Sequence, residues 1–525
     1  MEKGKAIYYK IVLSIEKQFS TQKKPDGLKK KSIVHNFLGS FSNFVFLFLT
    51  SIVLLPYYFK FISTSDYGIW LGGISFLSLV TVLDANISLI LTQQLGDKWT
   101  NNKPIEFSKY LTASLFFGVA ISCFIILFTY FFKDTLSIWV SPTKEVKSTF
   151  TQSFFLYAIS LSVTILTSYV SSVSQVFLKT LLPPFFNILA TILGLTYTVM
   201  TVPTQGVLAV AAGNLVRSSV YGLLICIYVY KILKDKKIFL VFEFSYVKRL
   251  VYSIGLPFLS KIGMTLAGNM QNFIIAASIS ASATTIFDIT RKLPVLTQSV
   301  INMFAASTFT SFSLFYSARK NSTETHEYTS HYFSLIRILL LFTLMGIFLI
   351  GRDFITLWVG FDKYGGDLLF ALLCIAALTD QLRLILSQQY YAIGKFKITS
   401  ITDSIFAVSF MIMALILIPY LKLHGIVLAG IIANIIYFTV CIYFEKKEHI
   451  NLVTQIINQS FFVDVTLVLI ISALTKFTYE YYRGNSLIEV AILVTAITFI
   501  CIMFYKKDKK LVNFLSSLLR KTFIK

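Results

Sequence analysis

Apolar residues in this chain come in long blocks separated by short polar or basic stretches. Most blocks run about 18–28 residues, the length a helix needs to cross a bilayer. Read at that period, the pattern predicts about fourteen helices, at about 33–59, 67–95, 108–132, 150–178, 184–202, 207–231, 250–279, 286–315, 331–351, 367–393, 398–419, 424–444, 461–478 and 487–505. The fifth opens on Pro183-Pro184, which suits a first helical turn. The expected fold is all-α, a polytopic membrane protein.

The blocks also repeat. Residues Gln175–Lys231, with Lys179, Asn187, Gly206-Val207-Leu208-Ala209 and Asn214, echo Gln389–Glu445, where Lys395, Lys397, Phe406, Gly425-Ile426-Val427-Leu428-Ala429 and Asn434 take similar places. The offset is about 219 residues, close to six spans, and implies parallel halves related by an axis along the membrane normal. The chain then divides into a basic, partly amphipathic tail at 1–32, an N-lobe of six helices at 33–231 and a C-lobe of six at 250–444. Two extra helices follow at 461–505, then a basic tail at 506–525.

Composition and charge agree with a membrane protein. Charged residues make up 14% of the chain, against roughly 25% in an average globular domain. The net charge of +22 would suggest nucleic acid in a soluble protein. Here the basic residues fall in alternate loops: with the N-terminus inside, about 32 Lys and Arg face the cytoplasm and about 9 face out. That asymmetry predicts both termini in the cytoplasm, membrane lipids as surroundings and no nucleic acid. No signal peptide is expected, because the first apolar block begins near Ile33 and is too long. The longest outward loops, 133–149 and 352–366, leave no room for a catalytic domain. No Gly-x-x-x-x-Gly-Lys phosphate loop occurs. The five cysteines stand singly in apolar blocks and the histidines are scattered. The expectation is therefore not an enzyme, with no metal and no cofactor beyond a coupling proton or sodium ion.

A charged side chain in the hydrocarbon region costs about 2.5–3.5 kcal/mol on insertion scales, so those retained face a bundle interior or a watery cavity. Arg217 lies in the sixth span with Asn214. Lys261 lies in the seventh, with Thr265, Gly268 and Asn272 on the same side and Asn269 nearby. Asp288, Arg291 and Lys292 follow at i, i+3 and i+4 in the eighth, and Arg383 lies in the tenth beside Gln381. Arg217, Lys261, Arg291, Lys292 and Arg383, with Asn269 and Asn272, are the candidates for a cationic substrate cavity. Arginine and lysine suit phosphates; amides and hydroxyls suit sugars. The competing reading is that the basic residues pair with Asp84, Asp288, Asp380 or Asp403 to hold helices together. Asp84 and Asp288 are the candidates to carry a coupling ion. Arg337 is expected to snorkel to a cytoplasmic end, with Asp464 interfacial.

Several segments carry a resemblance: Asn36-Phe37-Leu38-Gly39, Leu55-Pro56, Asp66-Tyr67-Gly68-Ile69-Trp70, Leu83-Asp84-Ala85-Asn86-Ile87, Gly255-Leu256-Pro257 and Phe287-Asp288 with Arg291-Lys292-Leu293. Across about Ser32–Lys447 the chain resembles the Wzx-type polysaccharide flippases, of the superfamily that also holds the MATE exporters and the lipid II flippases. The resemblance implies translocation of an undecaprenyl-pyrophosphate-linked oligosaccharide across the bacterial cytoplasmic membrane by alternating access. A lipid-linked oligosaccharide would be the substrate, with a polysaccharide polymerase and chain-length machinery as partners. Fourteen spans rather than twelve is similar to the lipid II flippases. The alternatives are therefore a lipid II flippase or a MATE-type exporter of small molecules.

Overall fold

The computed structural model describes residues 26–84, 87–141, 147–318, 323–448 and 450–481, and within them not every side chain. The fourteenth predicted helix, at 487–505, and the tails at 1–25 and 506–525 lie outside the described residues. The described residues hold helices and no strand. Nine of those helices are long and apolar enough to cross a membrane. The chain is an all-α, multi-pass membrane protein.

Two compact units divide at Thr285/Ile286, later in the chain than the predicted lobe boundary between 231 and 250. The first unit holds α1 (Asp26–Tyr58), α2 (Thr64–Ser78), a 3₁₀ helix (Leu79–Asp84) and α3 (Ile87–Thr100). It continues with α4 (Pro104–Val140), α5 (Ser148–Val176), α6 (Leu182–Gln205), α7 (Val207–Asp235), α8 (Phe244–Asn269) and α9 (Gln271–Ser278). α10 (Ala281–Ala318) begins at its end. The second unit holds the rest of α10, then α11 (Thr323–Val359), α12 (Asp367–Ala392), α13 (Phe396–Glu448), α14 (Leu452–Ile456) and α15 (Gln459–Tyr481).

Two predicted single spans are broken. The second, at 67–95, gives way to the 3₁₀ helix after Ser78. The seventh, at 250–279, is interrupted at Met270. Helical periodicity does not register such breaks, because both sides of a break remain apolar.

The first unit packs α4, α5, α6 and α7 together, with Phe107, Leu111, Tyr169, Val173, Ile225 and Val229 at its core. Lipid tails are as apolar as these side chains, so close packing rather than water exclusion holds the helices. Small residues permit it. A Cβ on Gly68 would fall 1.7 Å from the Ala281 carbonyl oxygen, so only glycine fits where α2 meets the start of α10. Thr285 closes that corner by donating from Oγ1 to the Thr64 carbonyl at 2.7 Å.

Each unit contains a helical hairpin with an abrupt reversal. α6 and α7 meet at Gly206, with φ +54° and ψ −125°. In α13 the same conformation falls on Lys422, φ +49° and ψ −123°. Both follow a proline by three residues, Pro203 and Pro419. A Cβ on Gly194 would lie 2.6 Å from the Gly213 carbonyl, and one on Gly425 2.5 Å from that of Leu417. Residues eight apart in a straight helix stand about 12 Å apart along the axis, so the chain has turned back on itself. The predicted spans at 398–419 and 424–444 are the two arms of α13.

Candidate substrate cavity

Close packing of α6 on α7 sets Arg217. A Cβ on Gly194 would lie 2.9 Å from the Arg217 Cβ, so the arginine runs along α6. Its Nη2 donates to Asn187 Oδ1 at 3.3 Å. Asn187 donates in turn from Nδ2 to Asn43 Oδ1 of α1 at 2.8 Å. These groups line a cavity of 550 Å³ within the first unit, whose walls include Tyr157, Ser160, Thr164, Ser171, Asn214 and Tyr221. None of its described lining residues is an aspartate or glutamate.

The hydroxyls of α5 face this cavity with their protons already spent. Ser160 Oγ donates to the Asn214 carbonyl at 3.0 Å, and Thr164 Oγ1 to the Ser160 carbonyl at 2.9 Å. Ser171 Oγ donates to the Ser168 carbonyl at 2.9 Å and Ser174 Oγ to the Ser171 carbonyl at 2.7 Å. Each hydroxyl oxygen keeps lone pairs that can accept. The cavity therefore offers a fixed cation at Arg217 and a row of acceptors along α5.

Asn214, predicted as the companion of Arg217, lines the same cavity but donates from Nδ2 to the Val210 carbonyl at 3.1 Å. The direct partner is Asn187, which the sequence singled out only as part of the repeat. The α5 hydroxyls were missed, although Ser160, Thr164 and Ser171 recur at helical spacing on one face.

The other predicted residues lie elsewhere. Lys261 is on α8 and Asp84 ends the 3₁₀ helix, but both side chains lie outside the described residues. Asn269 is exposed while Thr265 and Asn272 are buried, so the predicted polar side of the seventh span is divided. In the second unit Asp288 Oδ2 lies 3.0 Å from Lys292 Nζ, and its Oδ1 lies 3.9 Å from Arg291 Nη2. Arg291 also lies over the Phe287 ring, 5.2 Å from its centroid.

Arg383 is buried in a polar network. Its Nε donates to Asn434 Oδ1 at 3.1 Å, its Nη1 lies 3.6 Å from Asp403 Oδ1, and its guanidinium sits 4.0 Å over the Phe406 ring. Asn434 Nδ2 donates to Asp380 Oδ1 at 2.8 Å. Arg337 does not snorkel. It is buried, donates to Asn458 Oδ1 at 2.9 Å and to Ser460 Oγ at 3.2 Å, and has Nε 3.7 Å from Asp464 Oδ2. Asp464 is buried with it. The pair ties α11 to α15, a role that needed the tertiary contact to be seen. Glu445, also buried, accepts from the Tyr390 hydroxyl at 2.8 Å and from the Leu452 and Val453 N–H groups at 2.9 Å, capping α14.

No family model and no curated protein sequence matches the chain. Solved structures do. The chain is similar to the lipid II flippase MurJ in an inward closed conformation, with TM-score 0.59 and 15% identity over 85% of this chain and 98% of that one. It is similar to an outward-facing MATE-family multidrug resistance transporter of the MOP superfamily, with TM-score 0.59 and 15% identity over 81% and 98%. The fold is that of the MOP-superfamily transporters. A third neighbour is a MOP-superfamily transporter from Pyrococcus furiosus described as having a binding pocket of reverse polarity, with TM-score 0.58 and 15% identity over 80% of this chain and 97% of that one. These neighbours are transporters or flippases, and the fold is what they share with this chain.

Proposed function

We propose that the protein is a flippase that moves an undecaprenyl-pyrophosphate-linked oligosaccharide repeat unit across the bacterial cytoplasmic membrane by alternating access, for surface polysaccharide synthesis. The observation that carries this reading is Arg217, set in a cavity of amides and hydroxyls with no carboxylate among the described lining residues. A guanidinium donates in a fork that suits a phosphate. The α5 hydroxyl oxygens, with their protons directed inward, suit the O–H groups of a sugar. The apolar tail can remain in the bilayer. A cationic drug would meet a fixed positive charge, so export of the cationic type is the weaker alternative.

We also propose Lys261 on α8, and Arg291 and Lys292 on α10, as cations that contact the substrate. Asp84 and Asp288 are proposed to carry a coupling proton or sodium ion. Both termini are proposed to lie in the cytoplasm. A polysaccharide polymerase and chain-length machinery would act on the delivered unit.

A second reading, lipid II translocation, draws support from the similarity to MurJ. Complementation separates the two. The chain should restore polymer export to a strain lacking its repeat-unit flippase and should fail to rescue a strain lacking its lipid II flippase. Rescue of only the second strain would overturn the first reading. Efflux of a cationic dye by cells expressing the chain would overturn both.

A further inference from the structure

The segment between α7 and α8 looks in sequence like a polar loop, because it is rich in lysine. The structure gives it a different character. Ile238 turns inward, but Phe239, Leu240, Phe242 and Phe244 are exposed. They are held in place. Ser108 Oγ of α4 donates to the Phe239 carbonyl and accepts from the Val241 N–H at 2.8 Å. Lys109 Nζ lies 2.6 Å from Glu243 Oε2, and that hydrogen-bonded ammonium holds the Glu243 carboxyl below the usual carboxylate range. Tyr246 stands edge-on to Tyr110 at 4.9 Å. The Phe242 ring lies 5.2 Å from that of Phe116, which is exposed on α4 along with Val119 and Phe124. The apolar side of the segment thus continues the apolar outer face of α4.

α8 starts at the end of this segment. Phe244, Val247, Lys248, Val251 and Tyr252 share one face at i, i+3, i+4, i+7 and i+8 and line an open groove of 650 Å³. Tyr252 is 91% exposed. Lys248 is the charged residue among those lining it. The acids nearby in sequence are matched: Glu243 with Lys109, and Asp235 with Lys179 at 4.0 Å. Lys234, Lys236 and Lys237 add positive charge at the α7 end, with Lys236 lying 5.6 Å over the Trp99 ring.

We propose that this segment and the first two turns of α8 form a binding site for an anionic phospholipid. An acyl chain lies along the α8 groove and the headgroup phosphate meets Lys248, in the field of the α7 lysines. A bare apolar groove would take any lipid. The excess of lysine over unmatched carboxylate selects the anionic one, by about fivefold for each lysine near a headgroup.

The test uses the full chain purified from vesicles of phosphatidylglycerol and phosphatidylcholine in equal amounts, with the retained lipid counted by mass spectrometry. The wild-type chain should retain phosphatidylglycerol in excess. Lys248→Gln should lower that ratio about fivefold, and Lys248→Arg should keep it. Phe242→Ser should lower the total lipid retained and leave the ratio unchanged. All these side chains are exposed, so the variants should fold. Equal retention of the two lipids by the wild-type chain, or a ratio unmoved by Lys248→Gln, would overturn the proposal. So would a change in particle mass at constant lipid ratio, which would assign the surface to a second copy of the chain.

Discussion

The two helical hairpins, α6–α7 in the first unit and α13 in the second, use similar parts for opposite ends. Each reverses three residues after a proline in one backbone conformation. Each helps hold an arginine that donates to an asparagine: Arg217 to Asn187, and Arg383 to Asn434. The surroundings separate them. Arg383 is buried against Asp403 and covered by the Phe406 ring. Arg217 opens on a cavity whose described walls carry no carboxylate. Arg383 has a carboxylate beside it on another helix; Arg217 has none among its described cavity walls, and that is why we propose it as the cation that meets the ligand. Both share a sequence context of apolar residues with an amide nearby, so the context alone does not tell them apart.

The largest expected effect is on stability. Arg383→Ala leaves buried Asp403 without its cation and should cost about 3–5 kcal/mol, read as loss of the protein from the membrane fraction and a lower melting temperature. Arg217→Ala loses one hydrogen bond, to Asn187, and leaves no buried carboxylate behind, so it should cost less, about 1.5–3 kcal/mol. If both variants melt alike, the comparison fails.

Arg217→Ala should also reduce transport. A hydrogen bond to a charged group is worth about 1.5–3 kcal/mol, so flipping of lipid-linked sugar into vesicles should need roughly ten- to a hundredfold more substrate. Arg217→Lys should keep part of the activity. Undiminished flipping by Arg217→Ala would remove the cavity from the mechanism.

Asn187→Asp sharpens the contrast, because it gives Arg217 the kind of partner Arg383 has. The carboxylate would stand where Asn187 Oδ1 now accepts at 3.3 Å. Flipping should fall about tenfold while the melting temperature holds.

The smallest effect is at the turns. The shared conformation has positive φ, where a side chain is strained and glycine is not. Lys422→Gly should stabilise the second unit by about 1 kcal/mol, and Gly206→Ala should destabilise the first by a similar amount. Thermal melting of the two variants should move in opposite directions.

The sequence by itself determined the fold class, because a bilayer demands long apolar helices and marks their ends with lysine and arginine. It also located the repeat through Gly206-Val207-Leu208-Ala209 and Gly425-Ile426-Val427-Leu428-Ala429, although the reversals themselves fall at Gly206 and Lys422. It picked out Arg217 as a cation within an apolar, span-length helix. Only the tertiary structure decided which of the described charges pair across helices. Asp403 reaches Arg383 and Asp464 reaches Arg337 from other helices, and helical spacing is silent about a neighbour so distant along the chain. The breaks after Ser78 and at Met270 were hidden for a related reason. A helix ends where its hydrogen bonds end, and apolar composition carries no record of that.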